Sequence, residues 1–144
     1  MIRALILAAT LAVGATAVLA QADPIATRKA AMKGVGAAMG PLAAMNKGEA
    51  PFNLATVQAS LATMNKASKE MGALFPATSK TGGETAADPK IWDDAAGWAA
   101  VIQNFDTVTT AAAAAIKDEA SFKAEFGKVG GSCGTCHNTY RVKK

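Results

Sequence analysis

The chain has 144 residues, 51% of them apolar and 18% charged, enough for one compact domain and too little for two. Alanine fills 35 positions, while β-branched and aromatic residues are few, so helices are well supplied and sheets are not. Fifteen Lys and Arg against 11 Asp and Glu leave a net charge of +4. There is no dense basic stripe with interleaved aromatics, which argues against a nucleic-acid partner.

Residues 1–20 have the pattern of a secretory signal peptide: a positive charge at Arg3, an uncharged Ala/Leu/Val run from Ala4, and small residues at Ala20 and Ala22. Cleavage is expected after Ala20 or Ala22, leaving one domain from 21 to 144. The rival reading is an uncleaved anchor. The run Ala4–Ala20 is alanine-rich and short of the roughly 20 strongly apolar residues that span a bilayer. Nothing later is apolar enough to cross, so a soluble, exported protein is expected.

Four helices follow. The first opens at Asp23-Pro24, a cap followed by proline in the first turn, and runs to about Met45, where Asn46-Lys47-Gly48 stops it. Its inward stripe is Ile25, Arg28, Met32, Val35, Met39 and Leu42, in which Arg28 is out of place. The second starts at the cap Asn53 and aligns Leu54, Val57, Leu61, Met64, Ser68 and Met71, ending near Phe75-Pro76. Residues 78–87 form a long loop. A third helix is expected from the cap-and-proline pair Asp88-Pro89, carrying Ile91, Trp92, Ala95, Trp98 or Ala99, Ile102, Phe105, Val108, Ala112 and Ile116. The fourth, after Lys117-Asp118, aligns Phe122, Phe126, Val129, Cys133, Cys136 and Tyr140. Four amphipathic helices with short first and third connections imply an all-α, antiparallel up-down-up-down four-helix bundle.

Both cysteines and the single histidine fall within five residues, Cys133-Gly134-Thr135-Cys136-His137. Residues at i, i+3 and i+4 share a helix face. Two thiols one turn apart can form thioethers with the two vinyl groups on one edge of a haem, which aims the adjacent imidazole at the iron. Three rivals are weaker. A thioredoxin-like redox disulfide is expected beside a βαβ pattern, and the sequence supplies no strands. A structural zinc site needs four ligands and only three Cys and His are present. A structural disulfide across so small a loop would stabilise little.

The opposite face of the iron is a question of helix register. Met32 lies about 12 Å from the Pro24 end of its helix and His137 about 10 Å from the C-terminus, so antiparallel neighbours would set them level. Met64 and Met71 bracket the same height, and Met39 falls about 10 Å too far along. Methionine in a bundle is ordinarily core filler. Arg28, one turn before Met32, is expected either to meet a haem propionate or to snorkel to solvent. Gly36, one turn after Met32, leaves room for a flat macrocycle.

An alanine-rich exported chain with C-x-x-C-H near its end, followed by Tyr140-Arg141, resembles the class II c-type cytochromes, the cytochrome c-prime family. The resemblance covers nearly all of the mature chain. It implies one covalent haem c per chain, with Cys133 and Cys136 as attachment points and His137 as the proximal iron ligand. In low-spin members a methionine follows the first-helix arginine by four residues, as in Arg28-Lys29-Ala30-Ala31-Met32-Lys33 here; in high-spin members a non-ligating side chain stands there. The resemblance thus implies Met32 as second iron ligand and Arg141 beside the haem. The expected function is periplasmic transfer of single electrons between redox proteins, without enzymatic turnover. The alternative is a five-coordinate haem that binds nitric oxide or carbon monoxide. Lys29, Lys33, Lys128, Arg141, Lys143 and Lys144 would form a basic rim for acidic partners, although lysine-rich helix surfaces commonly serve solubility alone. A homodimer through the first two helices is a further possibility that the resemblance raises.

Overall fold

The computed structural model describes residues 23–143; the signal-peptide reading and Lys144 fall outside them. Helix α1 spans Pro24–Lys47. The Asp23 side chain accepts from the Ile25 N–H at 2.9 Å, relieving one of the unpaired donors of the first turn. At the far end Gly48 takes φ 77°, a left-handed turn that only glycine adopts without strain. Pro41 lies inside this helix and leaves the Ala37 carbonyl without its helical donor. Helix α2, Leu54–Met71, is capped by Asn53, whose side chain accepts from the Thr56 N–H at 2.9 Å. Two short 3-10 turns follow, Gly72–Leu74 and Ala77–Ser79.

The expected third helix is two. Helix α3 is a single turn, Lys90–Asp93, and helix α4 runs Ala95–Ala115. The break falls at Asp94, whose carboxylate accepts from the Gly97 N–H at 3.0 Å and from the Tyr140 hydroxyl at 2.8 Å. A short polar side chain that caps a new helix competes with continuation of the old one, and here a partner 46 residues away stabilises the competitor. Helix α5, Glu119–Tyr140, opens with a reciprocal cap between Asp118 and Ser121.

The inward stripes place the core. Ile25, Arg28, Val35 and Leu42 of α1 are buried, as are Val57, Leu61, Met64, Ser68 and Met71 of α2, whereas Leu54 is exposed. In α4 the best-covered residues are Thr109 and Ala112. The Thr109 hydroxyl donates to the Phe105 carbonyl at 2.8 Å, which lets a polar residue sit in the interior. Helix α1 packs on α2, α2 on α4 and α4 on α5, while α1 and α5 meet sparsely. The bundle therefore has three tight seams and one loose one. At the end formed by the α1–α2 and α4–α5 connections, Phe122 is fully buried between Phe52 and Phe126, at centroid separations of 5.8 and 5.7 Å. Burying such a ring contributes about 2 to 3 kcal/mol.

Candidate haem site

The opposite end of the bundle gathers the start of α1, residues 72–94 and the end of α5. Cys133 and Cys136 are half-buried free thiols, and His137 is exposed. Burial pushes both thiols above their usual range, the reverse of the depressed thiol that exchanges disulfides. Among the described residues no three His, Cys, Asp or Glu side chains form a metal cage. Partial desolvation and the Arg141 cation lower the His137 pKa. Both effects favour the neutral imidazole, the form that ligates metal.

Arg28 is buried, at 4% exposure. Its Nη1 donates to the Ser79 hydroxyl at 2.8 Å and the Leu74 carbonyl at 3.3 Å, and its Nη2 to the Thr85 hydroxyl at 2.8 Å and the Ser79 carbonyl at 3.1 Å. The guanidinium also lies over the Phe75 ring, 4.8 Å from its centroid. Burial lowers its pKa and Asp23 partly restores it; an arginine stays charged regardless. The side chain neither snorkels nor needs a carboxylate to be buried, because neutral oxygens of the loop satisfy it.

That loop sets the height of the two long helices. The Thr85 hydroxyl, which accepts from Arg28, also accepts from the Ala87 N–H at 3.1 Å. Ala87 pairs with Arg141 in an isolated antiparallel bridge, flanked by Asp88 N–H to the Tyr140 carbonyl at 3.0 Å and Val142 N–H to the Ala86 carbonyl at 2.9 Å. Arg28 and Arg141 are thus tied through the same short segment. Met32 lies one turn inward from the first and His137 one turn inward from the second, about 6 Å each.

Met32 and Met39 are partly buried against the core, whereas Met64 and Met71 are enclosed, at 0% and 5% exposure. Gly36 is exposed, and a Cβ added there would meet no atom within 4 Å. The glycine that the packing requires is Gly97, where a Cβ would strike the Asp94 carboxylate and the Tyr140 hydroxyl. Tyr140 itself is held neutral, its pKa pushed up to about 12 by burial and by its bond to Asp94. Lys29, Lys33, Lys128, Arg141 and Lys143 are all exposed, but Lys128 is paired with Glu125 at 2.7 Å. The sequence singled out Tyr140 of the Asp94–Gly97–Tyr140 knot, but not its partners Asp94 and Gly97 nor the loop oxygens around Arg28. An aspartate three residues before a glycine is a weak cap signal, and Ser79 and Thr85 carry none.

A helical bundle with a loose seam, two spare thiols and a neutral imidazole on one helix face defines a c-type haem protein. The family model for Cytochrome C' matches residues 23–141, and the chain belongs to that family. It is 50% identical over 138 residues to cytochrome c' of Rhodopseudomonas palustris, covering 96% of this chain and 94% of that protein. Cytochrome c-556 of Agrobacterium fabrum is 38% identical over 124 residues, covering 85% and 84%. The solved structure of the Rhodopseudomonas palustris cytochrome c' superposes with a TM-score of 0.83 at 53% identity, covering 86% of this chain and 99% of that one. The cofactor is covalent haem c, one per chain. The residues fit it: both thiols are free, and the seam beside them is loose.

Proposed function

We propose that the protein is an exported carrier of single electrons, with Cys133 and Cys136 as the thioether anchors and His137 and Met32 as the iron ligands. When bound, the haem supplies one-electron chemistry between ferric and ferrous iron. The chain's part is to hold it: the two thiols fix one edge, and the His137 imidazole is placed on the same helix face. The observation that carries the choice of Met32 is coverage. Of the three methionines at the right height, Met64 and Met71 are enclosed by protein and Met32 is not. Held by both His137 and Met32, the iron would have no position open to a substrate, so the chemistry it would supply is outer-sphere electron transfer; a thioether ligand would raise the potential. Arg28 would act on a haem propionate chiefly through its charge, since four of its N–H groups are engaged. Arg141 lies beside the proximal ligand.

The relatives' names favour a second reading. The relative at 50% identity is called cytochrome c', and the cytochrome c-556 relatives stand at 38% and lower. A five-coordinate iron with Met32 merely packed beside it would bind nitric oxide or carbon monoxide. Optical and paramagnetic-resonance spectra of the purified ferric protein separate the two. The carrier gives a low-spin spectrum with a methionine charge-transfer band, and Met32→Ala abolishes it. A high-spin wild-type spectrum, or one indifferent to Met32→Ala, establishes the gas-binding reading instead.

Export to the periplasm is supported by the charge and small-residue pattern of residues 1–22. The Rhodopseudomonas palustris relative pairs with 96% of this chain, while its solved structure covers 86%, as expected where a leader has been removed. No helix among the described residues is long and apolar enough to cross a membrane. Redox partners of acidic surface would meet the exposed Lys29, Lys33, Arg141 and Lys143 at the haem end. A shallow groove of about 390 Å³ between α1 and α2, lined by small residues such as Gly34, Ala37, Ala59 and Ser60, is where a second copy would pack in a homodimer.

A further inference from the structure

Two tryptophans flank Phe75, and they differ in one atom's fate. The rings of Trp92 and Trp98 lie 6.1 and 4.7 Å from the Phe75 ring. Trp92 donates its indole N–H to the Phe75 carbonyl at 2.9 Å. Trp98 has a buried Nε1 without a partner, and among the described residues it is the one buried side-chain nitrogen or oxygen in that state. Buried donors are almost always satisfied, so an acceptor outside the polypeptide is called for.

The surroundings say what kind. Trp98 packs edge-on against Tyr140 at 5.4 Å, one turn beyond Cys136 on the helix that bears both thiols. Nearby oxygens are committed: the Tyr140 hydroxyl donates to Asp94, the other Asp94 oxygen takes the Gly97 N–H, and the Phe75 carbonyl takes Trp92. The Arg28 guanidinium also packs on the Phe75 ring, 4.8 Å from its centroid, a buried cation with no carboxylate among its four hydrogen-bond contacts. An orphaned donor near a buried cation that Asp23 offsets only in part suits an anionic oxygen, and a haem brings two carboxylates. We infer that the Trp98 indole N–H donates to a haem propionate, which lies within the field of Arg28. The inference rests on the haem occupying the seam between α1 and α5, but not on whether Met32 ligates the iron.

The test uses holoprotein, wild-type beside Trp98→Phe and Trp92→Phe, with covalent haem content measured for each. Loss of attachment from wild-type would indict the haem reading itself, so the two failures are separable. With haem in place, Trp98→Phe shifts the propionate bending bands in the resonance Raman spectrum, and Trp92→Phe does not. In wild-type ferrous protein under carbon monoxide, which is diamagnetic whether or not Met32 ligates, ¹⁵N-indole and ¹³C-carboxyl-haem labels show a dipolar contact that joins the Trp98 N–H to a propionate. That measurement needs no substitution and decides the matter even if Trp98→Phe fails to fold. Propionate bands unmoved by Trp98→Phe, or no dipolar contact, overturn the proposal; in that event a Trp98 N–H still hydrogen-bonded identifies a buried water as the occupant.

Discussion

The two ends of the bundle are built from the same helices and reach opposite conditions. Around Phe122 the interior is complete: Leu42, Ile116 and Phe122 are each 1% exposed, and Gln58 ties α2 to the end of α4 through the Ala113 and Ile116 carbonyls at 3.0 and 3.3 Å. Around His137 it is not. An imidazole is exposed, two thiols are half covered and an indole N–H is buried without an acceptor. Protein interiors close-pack and satisfy their polar atoms wherever the chain alone can do so. The difference therefore marks the end at which something other than polypeptide completes the core.

Three substitutions probe that contrast. Phe122→Ala should cost the most, about 4 kcal/mol, because it removes a fully buried ring from a closed end. Urea unfolding followed by far-ultraviolet dichroism would show the loss, while the haem spectrum of the folded fraction stays as in wild-type. Gly97→Ala acts at the other end and forces Asp94 and Tyr140 apart; a loss of about 2 kcal/mol is expected from overpacking. This time the haem spectrum should change as well, since Tyr140 ends the helix that carries His137. A spectrum that ignored Gly97→Ala would show that the knot and the cofactor are independent. The smallest effect is one of pH. Tyr140 titrates near 12 in the folded chain and near 10.0 in the unfolded one. Above pH 10 the unfolded state therefore holds fewer protons, and stability falls until the folded pKa is passed. Asp94, held below the usual carboxylate range chiefly by the same Tyr140 hydroxyl, gives a matching loss as pH falls below about 4. Tyr140→Phe should flatten the alkaline limb of a stability-against-pH curve and shrink the acid one.

Much of this was legible in the sequence because its causes are local. Asp23, Asn53, Asp118 and Gly48 act within four residues of where they stand, and the helix ends they mark agree with the structure. The C-x-x-C-H spacing is likewise a property of one helix face. What could not be read depends on partners distant in the chain. The break at Asp94 is stabilised by Tyr140, and the burial of Arg28 depends on a loop some 50 residues away whose hydroxyls carry no periodic signal. An inward-facing arginine suggested an anion, and the fold supplied neutral oxygens first.

The sparse meeting of α1 and α5 bears on how the molecule opens. Local unfolding starts where few apolar contacts must be given up, and that is the haem-bearing edge, with the Phe122 end as the more durable hinge. A cofactor riveted to α5 and seated in that seam would span the weak edge like a clasp, so the group that completes the core would also keep the chain shut.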